Sequence, residues 1–155
     1  MLFRSGLMIT FPDHIVEERL EKLVDFAVEN GGEGCFSCWS RDLIRQYLMF
    51  HAGQQTLAYV TDEMGRIIAL GVAWCQPAGD YEFQWQRNDD KADTIFIAEV
   101  IATVPQAKLY LIGRLVRRWP DYKQKKIKAR RHGKIRDIDE RYLSRLILQE
   151  VRHGY

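Results

Sequence analysis

One carboxylate stands inside an apolar run. Glu99 interrupts Thr94–Ala102, a stretch otherwise carried by Ile95, Phe96, Ile97, Val100 and Ile101, two or three residues before that run ends. Apolar neighbours strip water from a carboxylate and raise its pKa, as a general base for a protonated amine requires. Strand alternation gives the competing reading, in which Glu99 turns to solvent or to an arginine. Directly afterwards comes Thr103-Val104-Pro105-Gln106, and helical spacing begins at Ala107. A strand end followed at once by a helix start offers unpaired N–H groups and a positive dipole, a setting for an anion. Lys108 adds a cation to that first turn, where it is unfavourable for the helix dipole and an anionic partner would relieve it. Every strand-to-helix junction shares this geometry, so the spacing alone names no ligand.

The charge distribution also asks for an anion. Residues 1–107 hold 8 Lys/Arg and 16 Asp/Glu, net −8, whereas residues 108–155 hold 15 and 5, net +10. Twelve cations fall between Lys108 and Arg136, with Asp121 as the one acid among them. Such asymmetry suits a cofactor phosphate, nucleic acid or an acidic protein. Packing of two oppositely charged halves is the plainer alternative. Few aromatics interleave with these cations, which weakens a single-strand nucleic-acid platform.

Other chemistry finds little support. Cys35-Phe36-Ser37-Cys38 has Cys-x-x-Cys spacing, but a redox motif needs a strand before it and a helix starting at its first cysteine. Here a helix and a glycine cluster come first. Zinc would need four ligands, and only His51 and Cys75, irregularly spaced, could complete the set. Buried thiols and no metal are the expectation. His14, His51, His132 and His153 form no pair at metal spacing, and His132 falls in a cationic turn. No nucleophile elbow, phosphate loop or zinc-protease motif occurs.

The elements that must position these residues follow from periodicity. Asp13 reads as the cap of a helix carrying Ile15, Leu20, Leu23, Val24, Phe26, Ala27 and Val28, stopped by Gly31–Gly34. A second helix spans Ser40 or Arg41 to His51. Thr56–Val60 and Ile67–Cys75 read as a hairpin, the second strand apolar enough to be buried on both faces. Tyr81–Trp85 alternates like a short edge strand, and Thr94–Ala102 is the next central strand. Ala107–Trp119 is helical, Lys126–Arg131 an exposed strand, Ile135–Ile138 its return, and Asp139 caps a last helix over Glu140–Val151. The strand–helix–strand unit at 94–131 demands a parallel, right-handed crossover.

A chain of 155 residues makes one domain and buries enough surface to need no staple. We divide it into a helical part (1–55), a core (56–138) and a C-terminal helix (139–155). Its longest apolar runs are about nine residues against the roughly twenty of a membrane span, so no membrane is expected. Three cysteines make no disulfide framework. Met1-Leu2-Phe3-Arg4 begins no apolar core with a cleavage site, and the cytoplasm is the expected location.

Three segments carry a family resemblance. Tyr59–Asp62 followed by Ile68–Trp74, then Phe96–Ala102, then Leu109–Arg118 with Trp119-Pro120-Asp121, resemble the core of the GNAT acyltransferases. Within that superfamily they are closest in pattern to the toxin-activating lysine acyltransferases, as is the turn Arg131-His132-Gly133-Lys134. The resemblance covers residues 56–138, about half the chain. It implies an α/β (α+β) fold, a GNAT-like mixed central sheet flanked by helices. It also implies transfer of an acyl group from a thioester donor, acyl-CoA or an acyl carrier protein, to an amine. Glu99 would be the base, directly or through water. Ala102, Thr103, Val104, Gln106 and Ala107 would hold the carbonyl or phosphate through backbone N–H groups, and Lys108 with Arg117 or Arg118 the donor's anionic part. Two features are absent: the superfamily's Arg/Gln-x-x-Gly-x-Gly/Ala phosphate loop, which the toxin-activating family also lacks and whose place is taken by Thr103–Lys108, and the toxin-activating family's catalytic histidine, for which Phe36–Arg41 holds none. The alternative keeps the fold without catalysis, as a binding protein whose basic segment 108–136 contacts nucleic acid or an acidic protein.

Overall fold

The computed structural model describes residues 6–31, 35–78, 87–131 and 133–145. Their elements are β1 (Met8–Thr10), α1 (Glu17–Asn30), α2 (Arg41–Gly53), β2 (Leu57–Thr61), β3 (Ile67–Gln76), β4 (Thr94–Ala102), α3 (Pro105–Arg117), β5 (Lys126–Arg131) and β6 (Lys134–Asp137). The six strands form one sheet in chain order. Every neighbouring pair is antiparallel except β4 and β5, which run parallel across α3.

Both faces of the sheet are covered at its centre, which is why β3 is apolar from Ile67 to Cys75. One face, formed by Leu70, Val72, Trp74, Phe96 and Ala98, packs on α1 and α2 through Leu20, Leu23, Ile44 and Leu48. The other, with Ala73, Cys75, Ile95 and Ile97, packs on α3 through Leu111, Leu115 and Val116. Gly71 lets α3 come close: a Cβ there would stand 2.8 Å from Leu115 Cδ1 and 2.9 Å from Leu111 Cδ2.

Several boundaries differ from the sequence reading. Helix α1 starts at Glu17 with Val16 as its cap, and Asp13 lies in an exposed bend before it. Glu17 and Glu18 still occupy the positive first turn. Ser40 caps α2 as its residue type suggests, its Oγ accepting from Leu43 N at 3.1 Å. Helix α3 begins at Pro105 and ends at Arg117, earlier at both ends than the expected Ala107–Trp119. Proline suits a first helical position because the N–H it lacks would have no intrahelical partner. Strand β1 carries no sequence signal, since its three residues are too few to show alternation. The edge strand expected at 81–85 lies outside the described residues. Residues 140–145 are helical, and Asp139 caps them, its Oδ1 accepting from Tyr142 N at 2.7 Å.

Candidate functional site

Strands β4 and β5 stay in register only briefly. Thr94–Ile97 pair with Lys126–Ala129, after which both strands continue without pairing and a gap opens between them. An irregularity on the other side of β4 coincides with that point. Val72 pairs with Glu99 but Ala73 pairs with Ile97, so Ala98 is an extra residue in β4. Such a bulge re-aims the side chains beyond it. Glu99, opposite Val72, therefore shares the face covered by α1 and α2, while Val100 is turned towards α3.

Glu99 is 7% exposed and faces an arginine that is itself almost covered. Arg130 Nη1 lies 3.6 Å from its Oε1, with 12% of the arginine side chain exposed. The guanidinium also sits over the Phe96 ring, 5.2 Å from its centroid. Neither solvent nor a surface arginine receives Glu99; it is half of a sheltered ion pair at the edge of the gap.

On the α3 side the gap widens into a cavity of about 380 Å³, within the range of small-ligand clefts. Ile97, Val100, Ile112, Ala129 and Ile138 give it an apolar floor, and Tyr142 closes it from the last helix. Lys108, Arg130, Arg131, Arg136 and Arg145 line it against the acids Asp137 and Asp139. An elongated ligand with an apolar arm and an anionic end matches this wall. Of the cations expected at the anion site, Lys108 lines this cavity.

The other expected anion contacts divide. Gln106 and Ala107 sit in the first turn of α3, where N–H groups have no partner four residues back. Thr103 is engaged elsewhere: its N–H donates to Ile68 O at 2.9 Å and its hydroxyl to the same oxygen at 3.2 Å. Ala102 is paired to Ala69 in the sheet. Val104 is the exposed cap of α3, and Pro105 has no N–H. The junction therefore offers fewer backbone donors than its length suggests. Arg117 and Arg118 are not brought to the cavity at all. They end α3, about 13 Å from Lys108 at 1.5 Å per residue. Arg118 lies over Trp119, 4.9 Å from the ring centroid. Burial holds its pKa below the usual arginine value, with Asp90 opposing that shift.

Of the cations in 108–136, Lys128 is bound to Asp137 at 2.8 Å, and Lys125 is buried in the chain's own carbonyls. Arg131, Arg136, Arg145 and Tyr142 were missed as cavity residues. The basic run contains the first two, but only the β5–β6 register shows which of its cations share the α3 face. Cys38 of the Cys-x-x-Cys is exposed, against the expectation of buried thiols there, while Cys75 is buried. Among the described residues no cluster of metal-ligating side chains occurs, and no helix is long and apolar enough to cross a membrane.

A parallel pair that splays beyond a bulge, with a helix start at its open end, can be compared with known folds. No family model and no curated protein matches the sequence, but 33 solved chains match the structure. The loading GNATL domain of CurA from Lyngbya majuscula superposes with a TM-score of 0.57 at 10% identity over 79% of this chain. The GNAT-family acetyltransferase from Listeria monocytogenes gives 0.52 at 11% identity, covering 97% of this chain and 88% of that one. The chain has the GNAT fold. A third structure with this fold, YncA of Salmonella typhimurium with its cofactor acetyl-CoA, gives 0.50 at 13% identity over 81% of this chain and 69% of its own. This chain spans 63% of the CurA domain's length. The expected GNAT-like mixed sheet flanked by helices is therefore present. At these identities the likeness is one of fold.

Proposed function

We propose that the protein is an N-acyltransferase, moving an acyl group from a thioester donor to an amine. The observation that carries this reading is the pair of environments across the β4–β5 gap: a sheltered carboxylate on one face and a cation-lined, apolar-floored cavity on the other. Bound there, the donor supplies an activated carbonyl. Lys108, Arg131, Arg136 and Arg145 hold its anionic part, and the apolar floor holds its arm. The N–H groups of Gln106 and Ala107 add donors at the helix start. Glu99 takes the proton that an ammonium must lose before its nitrogen can attack, directly or through one water. Arg117 and Arg118 have no part in this scheme.

Two donors share the required arm. Acyl-CoA is favoured by the fold's occurrence in YncA with acetyl-CoA. The finer likeness to the toxin-activating lysine acyltransferases adds an acyl carrier protein, which the basic surface would suit. Thermal-shift measurements with acetyl-CoA, longer acyl-CoAs and an acyl carrier protein test both. At a hundred times its dissociation constant a ligand stabilises by about 2.7 kcal/mol. No shift with any of them overturns the reading.

The second reading, a binding protein for nucleic acid or an acidic partner, is favoured by the full exposure of β6 with Lys134 and Arg136. Duplex binding measured from about 50 to 200 mM salt distinguishes it. Affinity would fall with a log–log slope near −0.9 per neutralised phosphate.

A further inference from the structure

As it stands, Glu99 is closed to an amine. It is 7% exposed, and Arg130 Nη1 lies 3.6 Å from its Oε1. If acyl transfer is the reaction, and this inference rests on that reading, a side chain must move before the carboxylate takes a proton. The sheet limits which one. The β4–β5 ladder ends at Ile97 and Ala129, so Arg130 is the first residue of β5 past it. On its other side Arg130 pairs with Ile135 of β6, which keeps its backbone in the sheet. Its side chain reaches back across the gap to β4, over the Phe96 ring and against Glu99. Of the two partners, Arg130 is the one that also lines the donor cavity, between Ala129 and Arg131. The ion pair therefore lies across the fork, with one member on the cavity wall.

We propose that Arg130 is a positioning residue, and that its pair with Glu99 is a latch opened by the donor. The anionic part of the donor draws the guanidinium to itself, and Glu99 is left to the amine. Removing one partner from a nearly covered pair is costly, because the other charge stays behind uncompensated. An exchange of partners avoids that cost. Arg130 trades a carboxylate for another anion, Glu99 trades a guanidinium for the acceptor's ammonium, and with both substrates bound each charge again has a counter-ion. An amine arriving first meets a carboxylate already occupied, so the donor binds first.

Calorimetry with CoA tests this without an acceptor. In Glu99→Gln the neutral amide holds the guanidinium less tightly than a carboxylate does. Arg130 is then available to the donor from the start, and CoA should bind about fivefold tighter than to the wild type. Arg130→Gln should weaken CoA binding, and adding Glu99→Gln to it should bring no gain. With Arg130→Lys in its place, part of the gain should return. Should Arg130→Gln fail to fold, Glu99→Gln and the double variant, which leaves neither charge behind, still make the comparison. A double variant that binds CoA as tightly as Glu99→Gln shows simple repulsion between the carboxylate and CoA, and overturns the latch. No gain in Glu99→Gln overturns it equally. Acyl transfer stands in both cases. If CoA binds to none of these forms this inference falls, and the acyl carrier protein in the thermal-shift series decides whether acyl transfer falls with it.

Discussion

The two ends of the β4–β5 pair use the same kinds of residue in opposite ways. At the closed end Lys125, its side chain 4% exposed, donates to Asp90 O at 2.7 Å and Ala92 O at 2.5 Å, with Asp121 at 3.6 Å. Trp119 Nε1 and Asn88 Nδ2 both donate to Asp90 Oδ1, at 2.8 and 2.7 Å. Those hydrogen bonds hold the Asp90 carboxyl below the usual carboxylate range. Asn88 in turn accepts from Cys75 N at 2.8 Å. Cations here meet acceptors the chain itself supplies, and the strands are locked in register. At the open end five cations converge on a cavity with two acids. Lys125 is structural because backbone carbonyls surround it, whereas Lys108 lines the cavity, and the clasp sits at the end where the two strands keep their register.

Removing the carboxylate of the open end should give the largest effect. Glu99→Gln keeps the shape and loses the base, so acyl transfer should fall by about 10²–10⁴. It also leaves Arg130 facing a neutral amide, at a stability cost of about 1–3 kcal/mol. Turnover and urea denaturation measured on the same variant separate the two roles. Full activity with lowered stability would make Glu99 a partner for Arg130 and nothing more.

The closed end should respond in stability alone. Lys125→Met leaves the carbonyls of Asp90 and Ala92 without their donor and should cost about 2–3 kcal/mol. For a chain of this size that lowers Tm by roughly 5–10 °C. The donor's thermal shift, measured as a difference on the variant, should persist. Lys108→Ala should do the reverse: the side chain is exposed, so Tm should hold while donor affinity weakens about fivefold to tenfold, the equivalent of about 1–1.4 kcal/mol. If both lysine variants lose donor binding equally, the two ends are not independent.

How much of this was legible in the sequence depends on the range of the signal. The apolar run of β3, the strand around Glu99 and the Ser40 cap are local patterns, and each element formed where its pattern lay. The placement of Glu99 was half legible. Its apolar neighbours announced burial, but the extra residue at Ala98 and the partner Arg130, 31 residues on, are products of register. Arg117 and Arg118 share a basic run with Lys108 in sequence, but α3 carries them to its other end. The cavity cations Arg136 and Arg145 were obscured for the same reason: only pairing of β6 with β5 sets Arg136 opposite Ala129.

A smaller effect reports on packing next to the gap. Gly71→Ala places a methyl against Leu111 and Leu115, both fully buried. The contacts are side-chain ends, so α3 should give slightly at a cost of about 1 kcal/mol, the low end for overpacking. Donor binding should weaken if that shift reaches the first turn of α3 and remain if it stays in the leucines.

The smallest expected effect appears only at high pH, and it makes Cys75 a reporter of the closed end. Burial pushes its thiol up to about 12, with Lys125 pulling the other way. An unfolded thiol ionises near pH ~8.5. The folded state thus keeps a proton that the unfolded state gives up, so the thiol's contribution is complete below the unfolded pKa and is lost as pH rises towards about 12. Cys75→Ala should flatten that alkaline loss in denaturation curves compared between pH 8 and 10. In a Cys35→Ser background, a thiol reagent at pH 8 should modify exposed Cys38 at once and Cys75 only on unfolding, since the thiolate is the reactive form. Adding Lys125→Met opens the clasp above Cys75, and its labelling should then run ahead of global unfolding. Labelling that still waits for global unfolding would mean that β4 and β5 are held by their four register pairs without the lysine.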